Sequence, residues 1–175
     1  RPWWCGNYHR YFQMIRVLAS LFALFLLSSC MFQYAKGLGQ IQQERYEEAT
    51  YNLSVALSKA PNNPAIYFAR AYSRGSMEQY SGAISDLTKA IRLDSTNADY
   101  FFYRGYYKSK LGNNKGAIRD YSESIIRYPY YAESYYNRGV CLKNLGLLED
   151  ACLDFNTAIE LGDTLSLKYK ASLCK

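Results

Sequence analysis

Small residues recur along the chain at a constant interval of 34 positions. Two such series run at offset positions: Ala49, Ala83, Ala117 and Ala151, and Gly37, Ala71, Gly105 and Gly139. Two series of larger residues keep the same spacing: Leu53, Leu87, Tyr121 and Phe155, and Leu57, Ile91, Ile125 and Ile159. Small residues let two helices approach closely, and the larger ones fill the remaining space. The pattern therefore predicts an array of helical hairpins that bury their apolar faces against each other.

Short motifs within the copies indicate the type of repeat. In the stretches 98–131 and 132–165, Arg-Gly is followed by Leu-Gly and then by Ala-Ile or Ala-Cys, and Pro61 and Pro129 fall where a second helix is expected to end. These residues resemble the tetratricopeptide repeat, a helix–turn–helix unit of this length. The resemblance implies an all-α, right-handed solenoid of four hairpins over 30–63, 64–97, 98–131 and 132–165, followed by a C-terminal capping helix over 166–175.

The end of the chain supplies the atypical element that a repeat array needs at its edge. Asp163 and Thr164 have side chains of the kind that cap helix N-termini. We expect Leu167 and Leu173 of the following helix to cover the last hairpin, with the lysines of that helix facing water.

The N-terminal segment has the three parts of a secretion signal. Counted from Met14, a positive residue precedes the apolar run 17–27, which is shorter than the roughly 20 residues of a membrane-spanning helix. The run ends in Leu27-Ser28-Ser29-Cys30, which resembles the bacterial lipoprotein signal. The resemblance implies a leader over 1–29, of which 14–29 is the signal peptide and 1–13 lies upstream of the true start. It also implies that Cys30 becomes the lipidated first residue of the mature protein.

Two alternatives to this interpretation stay open. One is that residues 1–13 are a translated extension, and the other is that Cys30 is incidental to a cleavable signal or an uncleaved anchor. Under the lipoprotein interpretation we expect lipid anchoring in the bacterial cell envelope, because several acyl chains attach a protein stably to a membrane. The outer membrane is favoured over the inner membrane, because Met31 rather than aspartate follows the cysteine.

Composition argues against several kinds of function. His9 is the only histidine and lies in the leader, so the predicted mature chain has no imidazole for a zinc site or for nucleophilic catalysis. The net charge is +6 for the whole chain and +3 from Cys30 onward, where there are 18 basic and 15 acidic residues. The basic residues form no cluster of the kind that nucleic-acid binding usually requires. We therefore expect no enzymatic activity, no cofactor, no metal site and no nucleic-acid partner.

Charged residues also follow this interval. Arginines recur in the predicted first helices and aspartates in the second helices, each aspartate 16 positions after an arginine: Arg70, Arg104 and Arg138, and Asp86, Asp120 and Asp154. In the first copy both members change together, to Lys36 and Asn52. We predict structural ion pairs, within a hairpin or between neighbours, that fix how the helices dock. A row of ligand-binding arginines and independent surface charges are the alternatives.

The resemblance assigns partner binding to the concave face of the array, which the first helices form. Mapped copy by copy, this face carries two rows of residues: Tyr34, Phe68, Phe102 and Tyr136, and then Leu38, Tyr72, Tyr106 and Val140. Lys110 and Lys143 lie nearer the helix ends. We predict that the aromatics and the two lysines bind a partner segment, because rigid rings give large contact at low entropic cost. Packing between hairpins is an equal alternative for the first row.

One recognition mode of the family is absent from these rows. Members that bind chaperones hold a terminal carboxylate with lysine in the first row and asparagine in the second, and this sequence has neither at those positions. Five tyrosines crowd the junction of the third and fourth repeats: Tyr128, Tyr130, Tyr131, Tyr135 and Tyr136. We expect most of them to pack at the junction, with Tyr130 and Tyr131 exposed.

Three cysteines follow Cys30, and their spacings match no metal motif. We expect Cys141, Cys152 and Cys174 to be small buried thiols. A disulfide between Cys141 and Cys152, on the two helices of one hairpin, stays open because an envelope compartment permits it.

These features predict a membrane-tethered protein–protein interaction scaffold or adaptor of the bacterial cell envelope, with a partner segment in its concave groove. The alternative is a periplasmic carrier or regulator that binds a small ligand or a cell-wall fragment in the same groove. A closed pocket with convergent polar groups would favour the alternative, whereas an open and shallow groove would favour protein binding.

Overall fold

Helices make up the regular structure of residues 28–174, the part of the chain that the computed structural model describes. In chain order they are α1 (residues 28–42), α2 (Tyr46–Lys59), α3 (Pro64–Ser76), α4 (Tyr80–Leu93), α5 (Ala98–Lys110), α6 (Asn114–Arg127), α7 (Ala132–Asn144), α8 (Leu148–Glu160) and α9 (Leu167–Leu173). Strands are absent from this range. The predicted all-α fold class is confirmed, whereas the leader before residue 28 lies outside the described residues.

The chain divides into two compact units. The first ends at Pro61, and its described part holds α1 and α2. The second begins at Asn62 and holds α3 to α9, in which each helix packs against the next along the chain. Between residues 28 and 174, no helix combines the length and the apolar character that spanning a membrane requires.

Asparagine caps and left-handed residues set the limits of the hairpins. Asn63 and Asn97 accept hydrogen bonds from the backbone N–H groups two residues on, at 3.0 and 2.8 Å, so α3 and α5 begin there. The turn inside each hairpin contains one residue with positive φ at the same place in the repeat: Glu44, Glu78, Gly112 and Gly146. Two copies use glycine there, which adopts this conformation without the steric penalty that a glutamate meets.

The sequence series of small and large residues meet inside the hairpins. A Cβ atom added to Gly105 would lie 3.1 Å from the Tyr121 ring, and one added to Gly139 would lie 2.9 Å from the Phe155 ring. Both rings are fully buried. In the third and fourth hairpins the first helix therefore approaches the second helix across a position too close for a side chain, with a large residue 16 positions later filling the space beside it. The second hairpin has the small residue Ala71 at this position.

Helix α9 covers the end of the last hairpin through Leu173, as predicted, and through Tyr169, which we did not predict. Tyr169 stacks on Phe155 with 4.7 Å between ring centroids, and Leu173 packs against the same cluster. The prediction for Leu167 is wrong, because this residue is 51% exposed. The loop before α9 turns the helix so that Tyr169 faces inward, with Asp163 accepting a hydrogen bond from the Ser166 backbone at 2.7 Å.

Two of the three later cysteines form a disulfide. Cys152 in α8 is bonded to Cys174, the residue after α9, and Cys141 is a free, buried thiol. The expectation of three buried thiols is therefore wrong for Cys152 and Cys174, and the open pairing of Cys141 with Cys152 does not occur. The physical reason is that α9 folds back along α8 and brings its C-terminal end beside Cys152.

Candidate functional site

Each recurring arginine contacts the aspartate that follows it in the second helix of its own hairpin. The Nε and Nη2 atoms of Arg70, Arg104 and Arg138 donate to the two carboxylate oxygens of Asp86, Asp120 and Asp154, at 2.6 to 2.9 Å. The carboxylates are buried and the arginines half-buried. Two-point contact of this kind fixes orientation as well as charge.

The third nitrogen of two arginines reaches the preceding hairpin. Arg138 Nη1 donates to Ser122 Oγ at 2.9 Å, and Arg104 Nη1 lies 3.4 Å from Thr88 Oγ1. Hydrogen bonding to Asp154 raises the pKa of Arg138. These contacts favour the structural interpretation of the arginine row over the ligand-binding one.

A second row of cations, which the sequence analysis missed, contacts the same aspartates. Arg74 Nη1 and Lys108 Nζ each lie 2.7 Å from Oδ2 of Asp86 and Asp120. The signal was available in the sequence, because these residues follow the arginine row by four positions and are separated by the same interval as the arginines. In the fourth hairpin the same position holds Leu142.

The first hairpin replaces the ion pair with a pair of amides. Asn52 Nδ2 donates to Gln40 Oε1 at 2.7 Å, and both side chains are buried. Lys36, which changes together with Asn52 in the sequence, is exposed. Asn52 is therefore paired with Gln40, which holds the position of Arg74 and Lys108 in this hairpin, and not with Lys36.

Aromatic residues of the first predicted row pack between neighbouring elements. Phe68 lies 5.3 Å from Tyr100, and Phe102 stacks on Tyr131 at 4.8 Å. Tyr136 contacts Phe155 and Tyr169, with 6.3 and 6.1 Å between ring centroids. These contacts favour the packing alternative for the members of this row in the second unit.

The second row is more open. Tyr72 is 36% exposed, and Tyr106 is half-buried with Lys110 Nζ 5.2 Å from its ring centroid. Tyr103, missed in the sequence analysis, lies 5.9 Å from Tyr72 and 5.3 Å from Phe68. We call the surface made by Tyr72, Tyr103, Tyr106 and Lys110 the first-helix face. The sequence indicated Tyr103 only weakly, since the copies on either side have Ala69 and Asn137 at the equivalent position.

Acidic groups lie at the other end of this face. Burial raises the pKa of Tyr103, and the nearby Tyr72, Asp99 and Glu133 raise it further. Tyr131 has a raised pKa from burial and from Asp99, which is hydrogen-bonded to its hydroxyl. Asp99 and Glu133 stand in the first turns of α5 and α7, whereas Lys110 ends α5. The face is therefore acidic at one end and basic at the other.

The remaining predicted site residues lie at several places. Lys143 Nζ is 4.9 Å from the centroid of Tyr169, at the edge of the cap. In the first unit, burial raises the pKa of Tyr34, and Cys30 is 5% exposed with its Sγ 3.6 Å from the Ala56 carbonyl oxygen. Of the two junction tyrosines expected to be exposed, Tyr130 is, while Tyr131 is half-buried by its stack on Phe102.

A tetratricopeptide-repeat profile matches residues 64–97 and 132–161. Among solved structures, YrrB, described as a protein with an unusual peptide-binding site, matches with a TM-score of 0.75 and 21% identity over 94% of this chain and 89% of that one. MamA matches with a TM-score of 0.74 and 20% identity, covering 82% of this chain and 81% of that one. The first repeat domain of Spaghetti (RPAP3), solved with the HSP90 peptide SRMEEVD, matches with a TM-score of 0.67 and 21% identity over 68% and 94%.

The comparison with curated proteins gives no match. The chain contains tetratricopeptide repeats and has the fold of such proteins, as the sequence predicted. At these identities the likeness concerns the fold alone.

Proposed function

We propose that the protein is a membrane-tethered interaction scaffold of the bacterial cell envelope, which binds a segment of a partner protein on its first-helix face. One observation carries the proposal: α3 and α5 present open aromatic rings that neighbouring rings already hold in place. Tyr72 and Tyr103 lie in edge-to-face contact with 5.9 Å between centroids, and Tyr106 lies 5.6 Å from buried Tyr107. Rings braced in this way lose little conformational freedom on binding, so more of the contact energy appears as affinity.

The charges of the face indicate the chemistry of the segment. Lys110 stands beside Tyr106, while Asp99 and Glu133 lie toward the opposite end. A segment with apolar or aromatic side chains, an acidic residue near Lys110 and a basic residue near Glu133 would complement the face. YrrB, described as having an unusual peptide-binding site, and the Spaghetti domain, solved with a bound HSP90 peptide, have the same fold, which supports the choice of a peptide segment.

Attachment through a lipid on Cys30 is the second part of the proposal. It is supported by the motif Leu27-Ser28-Ser29-Cys30 at the end of a short apolar run. In the folded uncut chain the Cys30 thiol is buried against α2. A lipid bonded to this sulfur has no room in the buried position, so the proposal requires that lipid transfer precede folding and that Cys30 lie outside this contact in the mature protein. Met31 after the cysteine favours the outer membrane.

The binding surface is tested by placing a photo-crosslinking amino acid at Tyr72 in cells that make the full chain. The partner identified from that crosslink is then titrated against the purified protein. We expect Tyr72→Ala with Tyr106→Ala to weaken binding by about 1–4 kcal/mol for each aromatic at the centre of an interface. Lys110→Glu is expected to weaken binding more at low salt than at high salt, because exposed charges are screened.

The matched control is Tyr128→Ala with Tyr130→Ala, since these tyrosines are 51% and 72% exposed and lie at the α6–α7 junction. Helical content and melting temperature are compared for all variants, which separates lost contact from lost folding. Partner affinity that is unchanged by the Tyr72 and Tyr106 pair but lost in the control pair would place the binding surface at the junction and refute the proposal.

The tether is tested separately. Mass spectrometry of the protein extracted from membranes is expected to show an N-terminal peptide that begins with a lipid-modified Cys30. Cys30→Ala is expected to release the protein from the membrane fraction or to block maturation, whereas Cys141→Ala leaves attachment unchanged. An unmodified Cys30 in membrane-extracted protein would contradict lipid anchoring without bearing on the first-helix face.

A further inference from the structure

A recess of about 330 Å³ opens on the fourth hairpin, away from the residues of the first-helix face. Its walls include the apolar side chains of Ile118, Leu142 and Leu153. Its polar groups are Ser122, Asp150, Asp154 and Arg138, whose guanidinium is paired with Asp154. The volume lies at the small end of the range for ligand-binding pockets, about 300–1,000 Å³. The recess therefore has room for a side chain.

The equivalent place in the two preceding hairpins is occupied by a cation of the chain itself. Arg74 reaches Asp86 there, and Lys108 reaches Asp120, each at 2.7 Å. The path of Arg74 runs over Gly82, where an added Cβ would lie 3.3 Å from Arg74 Cδ. The second and third hairpins thus surround each buried aspartate with two cations.

The fourth hairpin departs from this arrangement at two positions together. Leu142 stands where the second and third hairpins have Arg74 and Lys108, and Asp150 stands where they have Gly82 and Gly116. The first hairpin has Gln40 and Glu48 at these positions, and its Gln40 amide donates a hydrogen bond to Glu48 at 3.0 Å. We count the formal charge over four positions of each hairpin: the recurring arginine, the second cation, the glycine and the buried aspartate. The charge is +1 in the second and third hairpins and −1 in the fourth, where these positions hold Arg138, Leu142, Asp150 and Asp154. Among the described residues Asp150 forms no ion pair, and it is exposed at the edge of the recess.

We propose that this recess, the fourth-hairpin pocket, takes the side chain of an arginine or lysine from a partner protein. The cationic head lies between Asp150 and Asp154, at the place that Arg74 and Lys108 fill in their own hairpins. The methylene stem packs on Ile118, Leu142 and Leu153, as long basic side chains do along apolar surfaces. This proposal is independent of the first-helix face, because the two surfaces share no residue.

Two features of the pocket favour such a side chain over a bare cation. Both oxygens of Asp154 already accept hydrogen bonds from Arg138, which leaves them suited to a further N–H donor and poorly suited to a dehydrated metal ion. The apolar walls gain contact from a stem of methylene groups and gain nothing from a hydrated ion.

The pocket is tested with Nα-acetyl-arginine-N-methylamide as the probe and the citrulline compound as an uncharged probe of nearly the same shape. The full chain, held in a zwitterionic detergent, carries labelled isoleucine and leucine methyl groups for NMR. We expect the arginine probe to shift the methyl signals of Ile118 and Leu153 saturably. The citrulline probe is expected to bind roughly tenfold or more weakly, because it lacks charge-assisted hydrogen bonds.

Substitutions at Leu142 and Asp150 test whether the arginine probe binds in this pocket. Leu142→Lys supplies the cation that the second and third hairpins have, so it is expected to weaken arginine binding at least roughly tenfold, while Leu142→Met retains it. Asp150→Asn changes an exposed residue, leaves the fold intact and is expected to weaken binding a few-fold, on the order of an exposed ion pair.

Three outcomes would overturn the proposal. The first is equal binding of the arginine and citrulline probes, and the second is binding that persists in Leu142→Lys together with Asp150→Asn. The third is self-association of the protein that Leu142→Lys abolishes, because the cation would then come from a second copy rather than from a separate partner.

Discussion

Replacing Gly75 by alanine is expected to destabilise the second unit, even though alanine is the better helix former. Gly75 is buried in the last turn of α3, and an added Cβ would lie 2.2 Å from the end of the Tyr107 ring. Ordinary carbon contacts are about 3.5–4.0 Å, so the ring or the helix has to move by roughly 1–2 Å. Tyr107 has little room for this, because it is 3% exposed and stacks on Tyr80.

Two opposing contributions set the magnitude. Overpacking a filled core costs about 1–3 kcal/mol. Alanine in place of glycine within a helix raises the free energy of unfolding by about 0.5–1 kcal/mol. The two ranges give a net loss centred on about 1 kcal/mol in the free energy of unfolding, or a melting temperature lower by roughly 2–4 °C for a chain of this size.

A double-mutant cycle followed by circular dichroism in urea isolates the contact. In the background of Tyr107→Ala, Gly75→Ala is expected to cost nothing, because the obstructing ring is gone. The matched control is Gly39→Ala in α1, where an added Cβ meets no heavy atom of the described residues within 4 Å. This control is expected to raise stability by about 0.5–1 kcal/mol. A loss of equal size in both Tyr107 backgrounds, or no loss at all, would refute the steric reasoning.

Two further predictions concern the cysteines. Cys174→Ser and Cys152→Ser are each expected to lower the free energy of unfolding by about 3 kcal/mol, the value for a closed loop of this length, and unequal losses would contradict a shared bond. Burial raises the pKa of Cys141 to about 11, so iodoacetamide at pH 8 is expected to leave it unmodified until the protein unfolds. Because the folded pKa lies above the unfolded value of about 8.5, the neutral thiol stabilises the fold below that pH. This stability is lost as pH rises toward 11, and a pH dependence unchanged by Cys141→Ala would contradict the assignment.

The hairpin fold was predictable because its contacts repeat. Gly105 meets Tyr121 and Gly139 meets Phe155 at one separation in the sequence, so the period that aligns the copies also aligns the contacts within them. A single copy of this chain would not have revealed the fold, because small and large residues at one spacing also occur by chance.

The cap and the disulfide were not predictable in this way. Helix α9 has no second copy in the chain, so no recurrence indicates which of its faces turns inward. Its apolar residues offered Leu167, Tyr169 and Leu173, and only the fold shows that Tyr169 stacks on Phe155 while Leu167 faces outward. The partner of Cys152 depends on the same packing, because Cys174 follows α9 directly.

The second cation row shows a different limit. Arg74 and Lys108 are chemically alike, but Gln40 and Leu142 hold the same position in the outer hairpins. A search for recurring identities passes over such a row, although its function at Asp86 and Asp120 is the same. Recurrence of chemistry, rather than of residue type, would have found it.

Both proposals assign a function to positions at which the four hairpins do not share one residue type. Positions that every hairpin shares are explained by packing, since each hairpin has to solve the same problem of burial. Tyr103 stands where the adjacent copies have alanine and asparagine, and it braces the exposed Tyr72. Leu142 and Asp150 together replace the cation and the glycine of the second and third hairpins, and they line a pocket whose charge is reversed relative to those two hairpins. The fold requires none of these changes, because other hairpins form without them, and this is why the two proposals place partner binding at these residues.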